Sequence, residues 1–319
     1  MSAPIDVLCA GIVVADHVCT PVTHVPAAGE LVMADSMLLT IGGCAANAAV
    51  DLAKMGVHAA VVGRVGGDVF GRIVTDMLRE TGVDVSAIKA SATAATSQTL
   101  IVNVQGQDRR FIHTFGANAE FTAGDIPLRL VEHSKVLYVG GYLLMPGVRH
   151  DELAPLFASA QARGVRTVLD VAIPTPGEYV GRLEGLLPYV DVFLPNNHEG
   201  ALISGEEDPV AQAEFFKAMG CGTAIITLGG DGAVLVQEGR CLRCGAYSMP
   251  FVDASGGGDA FDAGYIYGLL RGMPPEDCLR IASALGASCV RAIGTTPGVF
   301  TLRECEAFLQ AQVLRIDEI

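Results

Sequence analysis

Basic residues are scarce in this sequence. It contains 21 Lys and Arg against 35 Asp and Glu, which gives a formal net charge of −14 over 319 residues. Proteins that bind nucleic acids hold the phosphate backbone with clustered Lys and Arg, so the shortage argues against a nucleic-acid partner. It leaves phosphate chemistry open, because backbone amides and one metal ion can hold a nucleotide inside an acidic protein.

Paired cysteine spacings and long apolar runs are also missing. The nine cysteines are scattered, and the one C-x-x-C, Cys241 and Cys244, has no second pair to complete a zinc site, so it fits a small hairpin. No apolar segment reaches the ~20 residues that cross a bilayer, and residues 1–15 lack the features of a signal peptide. We expect a soluble cytoplasmic protein that has no membrane partner.

Two sequence signatures of nucleotide binding are absent as well. The pattern G-x-x-x-x-G-K-[ST] occurs nowhere, which excludes a phosphate-loop ATPase. Residues 10–15 read AGIVVA and lack the second and third glycines of G-x-G-x-x-G, which weakens the case for a dinucleotide-dependent oxidoreductase.

What the sequence does contain is a repeated order of apolar run, glycine-rich turn and helix, which is typical of parallel βαβ units. Helices are predicted over 68–81, 151–163 and 260–271, each followed by a glycine suited to the left-handed position after a helix. Strands are predicted over 5–10, 59–62, 136–139, 167–170, 192–194 and 224–227. These strands are almost continuously apolar, which predicts an α/β fold with a mainly parallel sheet buried on both faces.

Two stretches in the first 116 residues follow a different pattern. Residues 17–41 and 97–115 alternate polar and apolar side chains, the second with a turn at 105–108. We predict antiparallel lid strands within about 12–41 and 96–116 that form a small sheet over the binding site. The sequence shows no internal repeat and no low-complexity linker that would indicate a second domain, so residues 1–319 are expected to form one domain.

The most specific chemical signal is residues 253–261, which read DASGGGDAF. A short strand is expected before it and a helix after it. The glycines Gly256, Gly257 and Gly258 would leave the first N–H groups of that helix open to an anion. Asp259 would then stand beside a bound phosphate, where a carboxylate is suited to accept a proton from an attacking hydroxyl. The alternative is that Asp259 only caps the helix.

A second glycine-rich turn, residues 42–49, reads GGCAANAA. Gly42 and Gly43 permit a polyol to lie against the backbone, and the amide of Asn47 is suited to hold sugar hydroxyls. Helix packing around a buried Asn explains the same residues equally well. Because both glycine-rich turns are expected to follow strands, and parallel sheets gather such turns at one edge, we predict that they form one site.

With these two motifs the sequence resembles the ribokinase-like (PfkB-type) sugar kinases. Three further segments agree with that family in order and separation: GRVGGDVFG at 63–71, PNNHE at 195–199 and TLGGDG at 227–232. The resemblance covers nearly the whole chain. It implies a three-layer αβα sandwich with a β-sheet lid, and an ATP-dependent kinase that uses Mg²⁺.

The resemblance also implies a role for each matching residue. Asp259 matches the catalytic base, and the amides of Gly256, Gly257 and Gly258 match an anion hole for the transferred phosphoryl group. Asn196 and Glu199 match residues that organise Mg²⁺ and phosphates, largely through water. The nucleotide is expected against Thr227, Gly229, Gly232 and Gly258, and the acceptor substrate against Asp16, Gly42, Gly43 and Asn47.

The sequence departs from the family pattern at two informative places. Some members bind a monovalent cation near the residues that match Asp253 and Ser255, but Gly298 stands where a hydroxyl contributes, which argues against activation by potassium. Ribose-specific members carry a glutamate where this chain has Gly140-Gly141-Tyr142. That difference argues against ribose itself and leaves room for a bulkier or differently oxidised substrate, even a nucleoside.

The sequence therefore predicts transfer of a phosphoryl group from ATP to a primary alcohol of a small sugar-like molecule. A nucleoside kinase on the same scaffold is one alternative, and a sugar-binding sensor without catalysis is another. Arg109, Arg110 and His113 in the lid are interpreted as solvent-facing side chains of a hairpin, and contact with an acidic or phosphorylated substrate is the alternative. A homodimer that pairs exposed lid strands is a further expectation.

Overall fold

A sheet with apolar side chains on both faces forms the centre of the structure, a computed structural model that describes residues 5–107, 109–174 and 177–319. The strands are β1 Val7–Gly11, β2 Val14–Val22, β3 Met37–Gly42, β4 Ala59–Gly66, β5 Asp84–Ser91, β6 Gln98–Val104, β7 Arg110–Thr114, β8 Val136–Gly140, β9 Arg166–Leu169, β10 Val192–Phe193, β11 Thr223–Thr227, β12 Ala233–Gln237, β13 Arg240–Cys244 and β14 Ile316–Glu318. The α-helices are α1 Cys44–Lys54, α2 Val69–Glu80, α3 Leu128–Glu132, α4 His150–Gln161, α5 Val180–Leu183, α6 Asn197–Ser204, α7 Pro209–Ala218, α8 Gly257–Leu270, α9 Pro275–Cys289 and α10 Leu302–Ala311.

The main sheet has ten strands in the order β14-β13-β12-β11-β10-β9-β8-β1-β4-β5. All pairings from β5 to β11 are parallel, and the three pairings beyond β11 are antiparallel. This arrangement confirms the predicted α/β fold with a mainly parallel sheet.

Helices cover both faces of this sheet. Along β1, Val7 and Cys9 belong to a core that contains side chains of α1, α8 and α9. Leu8 and Ala10 belong to a second core that contains side chains of α4 and α7. Successive side chains of a strand point to opposite faces, so a continuously apolar strand supplies both cores. The result is the predicted three-layer sandwich.

The helices predicted from glycine-terminated periodicity are present. α2 has Asp68 as its N-cap and Thr81 as its C-cap, and the glycines after α2, α4 and α8 (Gly82, Gly164 and Gly272) all have positive φ. α8 starts three residues earlier than predicted because Gly257 and Gly258 adopt helical conformation despite their low propensity. Within the described part of the chain, no helix is both long and apolar enough to cross a membrane.

The lid is a separate four-stranded sheet in the order β3-β2-β6-β7. β2 pairs with β3, and β6 with β7, in antiparallel fashion, whereas β2 and β6 are parallel. The prediction of purely antiparallel strands is therefore wrong for the central pair, where two distant hairpins meet side by side. Residues 23–36 contain no strand; Pro26 within them lacks the N–H that a ladder needs. Of the predicted turn at 105–108, Asp108 lies outside the described residues.

The chain around the late glycine motif also differs from prediction. Residues 245–256 contain no strand, so the short strand expected before Asp253 is wrong. The N–H groups of Val252 and Asp253 instead donate to the carbonyl oxygen of Val290, just after α9. Cys241 and Cys244 do lie in a hairpin, since β13 pairs with β12, and all nine cysteines are free.

Candidate active site

The two glycine-rich motifs meet through one hydrogen bond. The Nδ2 of Asn47, on α1, donates to Oδ2 of Asp259, on α8, over 2.7 Å and across 212 residues of sequence. The other side of the Asn47 amide, Oδ1, lies 2.9 Å from the hydroxyl of Thr295. The same hydroxyl lies 2.7 Å from the carbonyl oxygen of Ile41, so its one proton is available to either acceptor, while the N–H groups of the Asn47 amide face Asp259.

The first turn of α8 depends on Gly256. This residue is the N-cap with φ of +79°, and an added Cβ would lie 2.3 Å from the carbonyl oxygen of Thr295. Only glycine fits a left-handed position with so close a backbone. At Gly258 an added Cβ would meet no atom within 4 Å, so the helix start is open on that side.

Asp259 is not a helix cap. Its carboxylate is bonded to Asn47, and α8 has no side-chain hydrogen bond at its N-cap. Burial raises the pKa of Asp259, while hydrogen bonds from Asn47 and Cys44 lower it. The Sγ of Cys44 and carboxylate oxygens of Asp170 and Asp259 all lie within 4.8 Å of one another.

Further carboxyl groups that the sequence analysis missed surround this point. Asp170 follows β9 and accepts from the N–H of Gly141 over 2.9 Å, and Asp262 accepts from the hydroxyl of Tyr138 over 2.9 Å. Burial raises the pKa of Asp170, and the charges of Glu199 and Asp259 raise it further. Asp262 could have been found from the sequence, because it lies three residues after Asp259 on the same helix face.

Glu199 and Asn196 form a capping box at the start of α6. The N–H of Glu199 donates to Oδ1 of Asn196, and the N–H of Asn196 donates to Oε2 of Glu199, both over 2.9 Å. Burial raises the pKa of Glu199 to about 7. The carboxylates of Glu199, Asp170 and Asp262 provide oxygen ligands of the kind that Mg²⁺ prefers, so the residues present fit a divalent cation.

Two adjoining cavities open onto these groups. The larger, about 880 Å³, is lined by Thr227, Gly229 and Gly232, among others. The smaller, about 190 Å³, is lined by Asp259, Glu199 and the other carboxylates. Six residues line both cavities and mark their junction: Arg109, Asn196, Thr227, Ala254, Gly257 and Gly258.

Asp16 lies in the lid and lines neither cavity, but it is close enough to Asp259 for the charge of Asp259 to raise its pKa. Asp16 on β2 pairs in register with Thr40 and Thr99, and Thr99 pairs with His113. An added Cβ at Gly42 would lie 2.0 Å from Oδ2 of Asp16, so this glycine makes room for the carboxylate. Burial raises the pKa of Asp16 to about 7, although a hydrogen bond from Thr99 lowers it.

Asp253 and Ser255 lie apart from the cavities. Oδ1 of Asp253 accepts from the N–H and hydroxyl of Ser255 over 2.9 and 2.8 Å, and Oδ2 accepts from the N–H of Gly294 over 3.0 Å. Nearby, the guanidinium of Arg291 donates to the carbonyl oxygen of Gly298 over 2.6 Å. Protein donors thus already satisfy the carboxylate expected to bind a monovalent cation.

The three lid side chains interpreted as solvent-facing differ from one another. Arg110 is exposed, as expected. His113 is half-buried, and its Nδ1 lies 3.0 Å from the hydroxyl of Thr99. Arg109 is half-buried and lines both cavities, which for this residue favours the alternative of contact with a ligand.

Comparison with known proteins gives one consistent answer. A ribokinase of Haemophilus influenzae is 26% identical over 309 residues, which cover 94% of this chain and 97% of that protein. A 2-dehydro-3-deoxygluconokinase of Bacillus subtilis is 27% identical over 284 residues, 85% of this chain and 87% of that protein. The solved structure of Arabidopsis thaliana ribokinase complexed with ribose and ATP superposes with a TM-score of 0.81 at 23% identity, covering 97% of this chain and 99% of that one.

The family model described as pfkB family carbohydrate kinase matches residues 5–301. That match includes both glycine-rich motifs, the lid and every residue of the site described above. Carbohydrate kinases of this family transfer a phosphoryl group to an alcohol. This chain belongs to the pfkB family of carbohydrate kinases.

Proposed function

We propose that this protein transfers the γ-phosphoryl group of ATP to a primary hydroxyl of a small sugar or sugar-like molecule, with Asp259 as the general base. The observation that carries the proposal is the 2.7 Å hydrogen bond between Asn47 and Asp259. It places the residue proposed to hold the acceptor directly against the residue proposed to take its proton.

In the proposed reaction the acceptor oxygen forms a bond to the γ-phosphorus as its proton passes to Asp259. The bond between the γ-phosphorus and the bridging oxygen breaks, and ADP leaves with the electron pair. The environment of Asp259 supports this role, because burial raises its pKa toward the working pH of a general base. Asn47 holds the carboxylate in place, which fixes where the acceptor hydroxyl must lie.

The start of α8 is proposed to stabilise the charge on the transferred group. The first N–H groups of a helix lack partners within the helix, and α8 is 14 residues long. The N–H of Gly257 makes a contact of 3.4 Å with the carbonyl oxygen of Ala254, long enough to yield to a better acceptor. Together with Gly256 and Gly258 it supports an anion hole of preorganised donors.

The nucleotide is proposed to occupy the larger cavity, with its phosphates toward the smaller one. Thr227, Gly229 and Gly232 line the larger cavity, and the Arabidopsis ribokinase of the same fold was solved with ATP. Mg²⁺, held by Glu199 and its neighbours partly through water, would neutralise phosphate charge when bound. The nine free cysteines support a reducing cytoplasm as the place of the reaction.

The acceptor is proposed to lie between Asp16, Gly42, Gly43 and Asn47. Tyr142 is buried, and its hydroxyl donates to the carbonyl oxygen of Arg182 over 2.9 Å, so its one proton is already used within the protein. An ADP-release screen over pentoses, hexoses, ketoses, sugar acids, sugar phosphates and nucleosides would identify the substrate. Activity on nucleosides alone would favour the nucleoside kinase, and binding of a sugar without ADP release would favour the sensor.

Replacement of Asp259 by Asn tests the base. The change keeps the shape and removes the proton acceptor, so kcat should fall at least about a hundredfold, while equilibrium affinity for ATP changes little. Asp317→Asn, on the remote edge strand β14, is the control for loss of one carboxylate. Retention of more than about a tenth of the wild-type kcat by Asp259→Asn would show that another group takes the proton.

The pKa of Asp16 predicts a pH dependence of acceptor binding. Since burial raises this pKa to about 7, the carboxylate that accepts hydrogen bonds from the substrate is protonated below that pH. The KM for the best acceptor should rise by up to about tenfold per pH unit below 7, and Asp16→Asn should flatten the profile. The folded pKa exceeds that of the unfolded chain, so Asp16 also lowers stability as pH rises from about 4 to about 7. If KM for the acceptor depended on pH in Asp16→Asn as it does in the wild type, Asp16 would not be the group that binds the acceptor.

The hydrogen bonds of Asp253 predict that potassium is not needed. Three protein donors already satisfy its carboxylate, and Arg291 supplies a fixed cation to Gly298. Replacing K⁺ by a bulky organic cation at constant ionic strength should change kcat and KM by less than about twofold. A large activation by K⁺ but not by Na⁺ would contradict this expectation.

We also propose a homodimer through the lid. Large apolar side chains are exposed on and beside its edge strand β3, including Leu31, Met33 and Met37, and Ile112 is exposed on the opposite edge strand β7. Exposed sheet edges pair readily. Light scattering after gel filtration should give twice the monomer mass for the wild type and a monomer for Met37→Glu combined with Ile112→Glu. A monomeric wild type at micromolar concentration would refute this assembly.

A further inference from the structure

The cavities of the proposed site contain very little positive charge. Among the described residues that line either cavity, Arg109 is the one cationic side chain, and Asp170, Glu199, Asp259 and Asp262 are the acidic ones. A nucleotide adds several more negative charges. Phosphates can therefore bind here only if the positive charges that are available lie close to them.

Arg109 lies where those phosphates would have to pass. It lines both cavities, as do Gly257 and Gly258 at the start of α8 and Asn196 at the start of α6. A ligand that extends from the larger cavity to Asp259 must cross this junction. The helix start offers N–H donors on one side, and Arg109 offers a full charge from the lid on the other.

The lid also orients this side chain. Arg109 directly precedes β7, and its guanidinium carbon lies 5.5 Å from the centre of the Phe111 ring. Attraction to the face of an aromatic ring restricts the orientation of a guanidinium, and the guanidinium keeps its positive charge. Arg and Phe two residues apart along an extended chain share one face of the sheet; of the three successive residues Arg109 is half-buried, whereas Arg110 and Phe111 are exposed.

We propose that Arg109 is a positioning residue that binds phosphate oxygens of the nucleotide at the junction of the two cavities. This inference rests on the proposed function. A planar guanidinium can donate two parallel hydrogen bonds to a phosphate, so the lid clamps the phosphates against the start of α8. One residue thereby couples the position of the lid to the presence of a di- or triphosphate.

The decisive measurement is equilibrium binding by calorimetry at fixed Mg²⁺, with no acceptor present. The ligands are ADP, a non-hydrolysable ATP analogue and adenosine. For Arg109→Gln, affinity for ADP and for the analogue should fall about ten- to hundredfold, the size expected for a hydrogen bond to a charged group, and affinity for adenosine should change less than about twofold. Arg110→Gln is the matched control and should bind all three ligands as the wild type does.

Arg109→Lys keeps the positive charge but cannot donate two parallel hydrogen bonds, so this variant should recover part of the affinity for ADP that Arg109→Gln loses. It also keeps the test valid if Arg109→Gln does not fold. The proposal would be overturned if Arg109→Gln bound ADP as tightly as Arg110→Gln does. It would also be overturned if Arg109→Gln lost affinity for ADP and for adenosine by the same factor, because that result would indicate a structural role. A wild type that binds no nucleotide would overturn the proposed function together with this inference, whereas an active wild type with an unaffected Arg109→Gln would overturn this inference alone.

Discussion

Repulsion among buried and half-buried carboxyl groups is the constraint on which this site depends. Asp170, Glu199, Asp259 and Asp262 lie near one another, and the pKa of each is raised, first by burial and then, for all but Asp259, by neighbouring carboxylates. Such a cluster destabilises the fold unless other groups hold each carboxylate in place. Asn47, Gly141 and Tyr138 do this through single hydrogen bonds.

The same repulsion explains what the site is suited to bind. A low-dielectric pocket of carboxylates favours ligands that bring positive charge with them, and a nucleotide carried with Mg²⁺ meets that requirement. In the proposed reaction the start of α8 meets the remaining phosphate charge through backbone donors rather than through lysines. A chain with a net charge of −14 can thus host phosphoryl transfer with few basic residues.

The small residues of the two glycine motifs serve this electrostatic arrangement through geometry. Gly42 gives room to the carboxylate of Asp16, and Gly256 lets α8 start against Thr295. Each allows a charged or polar group to approach where a side chain would collide with it. Gly258 also has no side chain, and the space beside it is open to the cavities that it lines.

The residue pattern alone was enough to predict the layers of the fold and the two residues, Asn47 and Asp259, that meet in the candidate site. Continuous apolar runs predicted a parallel sheet buried on both faces, because only such strands supply two cores, and the two glycine motifs pointed to Asp259 and Asn47. The premise that strands of one sheet carry both motifs was wrong, since β3 belongs to the lid and no strand precedes Asp253.

The folded structure was needed to find the groups from other elements that surround Asp259 and to find what Arg109 contacts. Asp170 and Cys44 come from elements distant from Asp259 in the sequence, and only their approach to within 4.8 Å of it marks them as part of the site. Arg109 and Arg110 are adjacent and identical in chemistry, yet one lines the cavities and the other is exposed. Local sequence cannot separate them, because the orientation of a strand side chain depends on how the lid packs over the sheet.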